Sequence, residues 1–413
     1  MVREILSTLL PDFLVTVISI VIGLSPVWLP IFLTGIFLNL WLRYVRTKAH
    51  IKNGGLLLEI KLPRDVFKSP LAMEIILTSL YQRGGSSYIE TFLKGKYRPW
   101  FSLEIVSIDG NVRFFIWTQP KFRQLIESQF YSQYPGVEIY EAEDYTKNVF
   151  LDPKEISLWG TTFKKKNKKG DVYPIKTYVD YGLDREQEEE SKIDPLTSLL
   201  EFMGSIKAGE QVWIQILIQA HREMTMKDDA VFPNRPSWNK KAEGVIKDKI
   251  DEITGADDED GPRRALTPGE KDTIAALERT LTKLPFEVGI RGFYIARSSA
   301  FNPIGITGLI GSFRQFGSPH LNEISLGKNT DFEYAWEDFR RIRRTEKEKK
   351  LLNAYKLRSF FQIPYQYALG TKPFIMNTEE LATIFHLPGQ VLTTPTITKI
   401  PSRKSEPPAN LPI

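Results

Sequence analysis

The sequence contains no cysteine and only four histidines in 413 residues. Disulfides and thiolate metal sites are therefore excluded, and His50, His221, His320 and His386 stand too far apart for a metal-ligand spacing. No G-x-x-x-x-G-K-S/T, G-x-S-x-G or H-E-x-x-H occurs, so neither a phosphate loop nor a nucleophile elbow nor a zinc-protease helix is encoded. The segment "TPGEKDT" superficially resembles a phosphate loop but lacks the Gly-Lys-Thr order and reads as a helix start. Glu141, Glu143 and Asp144 cluster in "YEAEDY". Carboxylates alone do not define a site, and these read as a solvated strand edge. "GITGLIGS" (305–312) lies in an apolar periodic stretch, where glycines serve close helix packing. No catalytic constellation is present, and neither enzymatic activity nor a cofactor is expected.

One stretch lacks charge altogether. Between Asp12 and Arg43 every residue is uncharged, from Phe13 through Ile20, Trp28 and Phe32 to Leu42. A membrane span needs roughly 20 apolar residues, so this run suffices for one tilted helix or a tight pair. Ser25-Pro26 is a place for it to bend. A buried core hairpin is the alternative. Arg43, Arg46, Lys48 and Lys52 follow the run, whereas Arg3 stands with Glu4 and Asp12 on the other side. The positive-inside rule then expects residues 1–53 to be an anchor in the cytoplasmic membrane, with the bulk of the chain in the cytoplasm.

What remains has the composition of folded domains, with a net charge of +5 and 42% hydrophobic residues. Residues 54–150 read β-α-β-β-α-β: a strand at 56–63, a helix at 69–85, a hairpin turning at Asp109-Gly110, a helix at 120–135 and a strand at 137–145. The first helix presents Leu71, Ile75, Leu77 and Leu80 as its apolar face. This is the split pattern of a ferredoxin-like domain, with two helices on one face and the other face free to meet a neighbour. Residues 151–334 repeat the pattern without sequence similarity. Strands are expected at 156–163, 172–181, 211–221 and 286–297, and helices at 194–206 and 302–316. A helical insertion at 222–284 holds helices 237–254 and 268–283, the latter with a Thr267/Glu270 capping box. Trp117 and Trp213, each within an apolar strand, are expected to be buried.

The C-terminal part, 335–389, is expected to be helical. It holds a long charged helix at about 335–361 and a final helix capped by Asn377 with Glu380 at its third position. Leu381, Ile384 and Phe385 form an apolar face that either packs on the second module or meets a partner. The tail, 390–413, is proline-rich and expected to be extended. The overall fold class is therefore α+β: a transmembrane segment, two ferredoxin-like modules and C-terminal helices.

Two basic runs are candidate anion contacts: Lys164, Lys165 and Lys166, and Arg340, Arg341, Arg343 and Arg344. The lysines sit at a hairpin tip, where they also deter edge pairing. The arginines are followed by Glu346 and Glu348, as on a solvated helix face. Aromatic residues do not alternate with these charges, so single-strand stacking has no evident platform.

"RPWFSLEIVSIDGNVRFFIWT", "IESQFYSQYPGVEIYEAEDYT", "FEVGIRGFYIAR" and "NTEELATIFHLPG" together resemble the region ahead of the motor in bacterial type IV secretion and conjugation ATPases, the VirB4/TraG and HerA-like group, in versions from candidate-phyla bacteria. The resemblance extends from about residue 25 onward and rests on the number and order of segments rather than on catalytic signatures. It implies a membrane segment, paired α+β domains and a lead-in, Asn377–Gly389, to a RecA-like ATPase. No ATPase domain is encoded here, so hydrolysis does not carry over. The expectation is a membrane-anchored, non-enzymatic component docking a separately encoded P-loop ATPase. Its partners would be membrane lipid, that motor, further copies in an oligomer and, through the basic runs, nucleic acid. The alternative is a general envelope scaffold that involves neither motor nor DNA.

Overall fold

In the computed structural model, Leu24 divides the uncharged run into two helices, α1 (Asp12–Gly23) and α2 (Ser25–Asn53). Pro26 is the second residue of α2, where its missing N–H leaves no intrahelical bond unmade. The structure describes residues 12–62, 68–84, 87–166, 170–185, 193–222, 238–254, 265–362 and 365–388. The expected tail, Gly389 and residues 167–169 of the lysine run fall outside them.

Two compact units are present. The first joins residues 12–53 to 87–97. Here the Trp41 indole donates to the Phe92 carbonyl (2.9 Å) in the short helix Tyr88–Lys94, and Asn53 donates to the Tyr97 hydroxyl (3.1 Å). Among the described helices only α2 is long and apolar enough to cross a membrane.

The second unit contains, in order, β1 (Leu56–Lys61), α3 (Pro70–Ser79), β2 (Phe101–Ile108), β3 (Asn111–Thr118), α4 (Arg123–Gln133), β4 (Glu138–Glu141), β5 (Ile156–Lys165), α5 (Pro195–Ser205), β6 (Glu210–Ala220), α6 (Trp238–Thr254), α7 (Pro268–Thr282), β7 (Pro285–Arg297), α8 (Pro303–Gly311), β8 (Ile324–Asn329), α9 (Ile342–Lys356), β9 (Phe374–Asn377) and α10 (Thr378–Ile384). Side-chain caps start several of these helices: Ser69, Asp194, Thr267, Asn302 and Asn377 each accept a backbone N–H of the first turn, four of them with proline next in sequence. Asp109 and Gly110 both take positive φ, as a two-residue hairpin turn between β2 and β3 requires.

The strands form one antiparallel sheet in the order β4-β1-β3-β2-β6-β7-β5-β8, with β9 pairing to the start of β7. β5 to β8 repeat the connectivity of β1 to β4, mirrored through the β2·β6 seam. In each half a helix follows the first strand and another follows the third. The seam is a full ladder running from Phe101↔Ile218 to Ile108↔Gln211, so the sheet is continuous across the boundary expected near residue 150.

One face of the sheet carries the main apolar core. Leu103, Ile105, Phe114, Ile116, Ile214, Ile216 and Ile290 alternate inward along their strands, each worth about 1.5–3 kcal/mol when fully buried. α3 contributes Met73, Ile76, Leu77 and Leu80, while Leu71 and Ile75 are 44% exposed. Of the expected helix face, Leu77 and Leu80 are therefore buried, and Met73 and Ile76 take the places expected for Leu71 and Ile75. Trp117 and Trp213 are buried, as expected. Gly305 and Gly308 of "GITGLIGS" abut the Tyr294 and Phe202 rings, which is the close packing their pattern implies.

Three expectations change. Residues 172–181 form turns, not a strand. Pro174 removes a ladder donor, and α10 takes two others: the Ile175 N–H bonds the Glu380 carboxylate and the Tyr178 N–H bonds the Thr383 hydroxyl. The opposite face of the sheet is not free, because α9 and residues 357–362 cover it with Leu351, Tyr355, Phe360 and Phe361 buried. The C-terminal part is also not uniformly helical. The charged helix is confined to 342–356, and β9 then enters the sheet before α10 packs against α3 and α5.

Candidate functional sites: anchor, seam and basic ledge

The candidate anchor is α2, long and apolar enough to cross a membrane. Trp28 is 43% and Phe32 59% exposed, and Ile20 on α1 is 56% exposed. Leu42 is half-buried near the end of the apolar run, and Phe13 lies in α1. A helix with large apolar side chains bare along its length is costly in water, whereas a bilayer solvates them and the helix satisfies its own backbone. The basic residues Arg43, Arg46, Lys48 and Lys52 fall on the last turns of α2.

At the seam, polar side chains stand in a row across three adjacent strands. Glu104 on β2 faces Gln215 on β6, which faces Arg291 on β7. All three are fully buried on the face that α9 covers. Arg358, just after α9, closes the row: its Nε donates to Glu104 Oε1 (3.0 Å) and its Nη2 to Oε2 (3.2 Å). Glu104 also accepts from Ser102 (2.7 Å), Tyr145 (2.8 Å) and Gln215 (3.0 Å). Asp144, read from sequence as part of a solvated edge, instead accepts from Arg358 and Thr146. The Arg358 guanidinium leads Asp144's carboxyl below its usual range, against the opposing effect of burial. Arg291 bonds neutral acceptors, the Gln215 amide and the Ser359 carbonyl, and burial pushes its guanidinium down to about 9. This arrangement holds the C-terminal segment on the sheet, and its members other than the partly exposed Asp144 have almost no solvent access.

α10 forms the counterpart on the helical face. Leu381, Ile384 and Phe385 are at most 1% exposed and lie in the main core. They pack internally, but chiefly on α3 and Phe114 of the first half and only in part on the second module expected for them. Lys165 is likewise not a surface anion contact, because it is buried and pairs with the buried Glu380 at 2.7 Å. Burial pushes the Glu380 carboxyl upward despite that lysine. His386, just past α10, places one ring nitrogen 2.9 Å from the Ala382 carbonyl and the other 3.0 Å from Asp194, the cap of α5. Both nitrogens then donate, which is the imidazolium form.

The remaining basic residues are at the surface. Lys164 is exposed, and Lys166 is exposed and pairs with Glu323. Arg344 is engaged by Asp331 and Glu348, both at 2.8 Å. Arg340, Arg341 and Arg343 are exposed beside three aromatic residues that sequence reasoning overlooked. Trp336 is 75% exposed, Phe339 89% and Tyr334 51%. Their signal was visible in "FEYAWEDFRRIRR", where aromatic residues recur every two or three positions directly before the arginines. Asp338 fixes this ledge to α9 by accepting the Arg343 and Arg344 amides at 3.1 and 2.8 Å. An open cleft of about 620 Å³ lies alongside, lined by Phe332, Asp331 and Lys347 among others. Among the described residues no group of three histidine, aspartate or glutamate side chains could hold a metal ion.

Residues 57–400 match the family model described as Domain of unknown function (DUF8128), and the chain belongs to that family. The match covers both halves of the sheet and the returning C-terminal segment. No curated protein matches the chain.

Proposed function

We propose that this DUF8128 chain is a membrane-anchored, non-enzymatic platform for a translocation apparatus of the type IV secretion or conjugation kind. It presents two ferredoxin-like modules, fused edge to edge, to a P-loop motor supplied by a second polypeptide. The observation that carries the reading is α2: a 29-residue helix with its most apolar window entirely unburied, followed after Gly54-Gly55 by the first strand of the body. The repeated strand order on either side of the β2·β6 seam supports two split β-α-β modules. The resemblance of the strands and of "NTEELATIFHLPG" to the pre-motor region of those ATPases supports the choice of partner, and the basic flank of α2 supports a cytoplasmic body. With Leu381, Ile384 and Phe385 in the core, a motor would meet the exposed surface of the body rather than the apolar face of α10.

The test uses the full chain in its native membrane. Crosslinking and affinity capture should recover a P-loop ATPase, and the purified chain alone should hydrolyse no ATP. Repeated recovery of envelope proteins without any P-loop ATPase would favour a general scaffold. Turnover that persists through rigorous purification would refute the non-enzymatic assignment.

A further inference from the structure

The ledge at 334–343 exposes apolar side chains that the fold leaves unused. Phe339, Trp336 and Ile342 are 89%, 75% and 58% exposed, in a unit whose other large aromatics are mostly buried. Single exposed apolar residues need no explanation, but a contiguous group of this kind marks an interaction surface. Tyr334 and Trp336 are stacked on each other at 4.6 Å with an interplanar angle of 12°, a preformed pair. Arg340, Arg341 and Arg343 stand among them, all exposed. Of the nearby acids, Asp338 is engaged by the first amides of α9 and Glu337 is half-buried, while Glu333 and Glu346 flank the ledge exposed.

We propose that this aromatic–arginine ledge docks on an anionic lipid surface, with Trp336 and Phe339 entering the headgroup region and Arg340, Arg341 and Arg343 meeting lipid phosphates. The composition is that of an interfacial segment: aromatic side chains at the depth of the headgroups beside cations that complement acidic lipid. Two observations favour lipid over a single-stranded nucleic acid. Ile342 offers aliphatic bulk that cannot stack on a base, and Tyr334 and Trp336 each spend one ring face on the other. The body also begins at Leu56, directly after α2 ends at Asn53, so an inserted α2 keeps the body's concentration at the bilayer surface high. The proposal does not depend on a motor partner.

The absence of native cysteine makes the test direct. The full chain carrying Phe339→Cys, labelled with an environment-sensitive fluorophore, is reconstituted in nanodiscs of phosphatidylcholine with or without phosphatidylglycerol. The label should shift to the blue and brighten only with the anionic lipid. The shift should be lost in high salt and in the R340Q/R341Q/R343Q variant, whereas a label at Thr282→Cys should not respond. In the unlabelled chain, anionic discs should slow tryptic cleavage after Arg340 and Arg341. A Phe339 label that stays equally hydrated in both discs, with unchanged cleavage, overturns the proposal. So does a label that answers a single-stranded oligonucleotide but not anionic lipid, which would reassign the ledge to nucleic acid.

Discussion

Arg358 and Glu104 form a bidentate ion pair across 254 residues of sequence, at 3.0 and 3.2 Å, with side chains at most 2% exposed. The pair ties the segment after α9 to the strand at the centre of the sheet. Taking away one partner leaves a buried charge unpaired, which costs about 3–5 kcal/mol. Arg358→Met should lower the unfolding free energy of the detergent-solubilised chain in urea by that order, and Glu104→Gln by less, because Asp144 still pairs Arg358. The double variant R358M/E104L should recover much of the loss, since an apolar replacement removes both charges at once. A double variant that loses the sum of the two single losses would show that the two side chains are not coupled.

Gly289 tests the same closure by packing. A Cβ there would lie 2.5 Å from the Phe360 ring, so Gly289→Ala must displace Phe360 from the covered face. Overpacking of this kind costs about 1–3 kcal/mol. Thermal unfolding should shift downward, and the joint variant G289A/F360L should regain part of the loss. An unchanged midpoint for Gly289→Ala would mean that Phe360 moves aside freely and the cover is loose.

Trp213 is fully buried at the seam, in ring contact with Tyr145, Phe293 and Tyr355. Trp213→Ala should destabilise by about 3–5 kcal/mol. A near-neutral variant would show that the far face of the sheet is solvated in solution.

His386 and Asp194 give a pH dependence whose sign is fixed by geometry. Burial opposes charge on both, yet each outweighs it for the other: His386 is raised from 6.5 and Asp194 lowered from 3.8. The raised histidine contributes stability that is complete below about 6.5 and disappears as pH rises through its folded value. The lowered aspartate contributes stability present above about 3.8 and lost as pH falls through its folded value. Their joint contribution therefore peaks in mildly acidic solution. His386→Gln should destabilise most near pH 5.5–6, and the gap from wild type should narrow as pH rises. A gap that widens toward alkaline pH would mean that the folded imidazole is neutral.

Much of this was written locally. Capping pairs such as Asn377 with Glu380 and Thr267 with Glu270 are three residues apart, and the Asp109-Gly110 turn is contiguous, so a short window suffices to read them. The seam was not legible. Glu104, Gln215 and Arg291 each stand between non-polar neighbours in their own strands, and only a register set over more than 100 residues puts them in one row. Lys165 looked like one of six consecutive polar positions, yet the end of β5 turns it inward to Glu380. Strand alternation decides which lysine of the run is buried, and it cannot be assigned until the strand's end is known. The 172–181 segment failed for the same non-local reason, because its backbone donors are taken by α10 some 200 residues later.

The anchor yields the last prediction. Leu33 lies near the middle of the apolar part of α2 and is 52% exposed within the fold. If α2 spans a bilayer, Leu33→Arg places a cation near the hydrocarbon centre, at a cost of about 2.5–3.5 kcal/mol on insertion scales. Carbonate-resistant membrane association should then fall by about two orders of magnitude or somewhat more, the corresponding change in an equilibrium constant. Leu33→Phe, which keeps the site apolar, should leave association intact. The folded body should be unaffected in both variants, because Leu33 belongs to the other unit, so its proteolytic pattern serves as the internal control. Full membrane retention of Leu33→Arg would mean that α2 lies along a surface or a partner rather than across the bilayer.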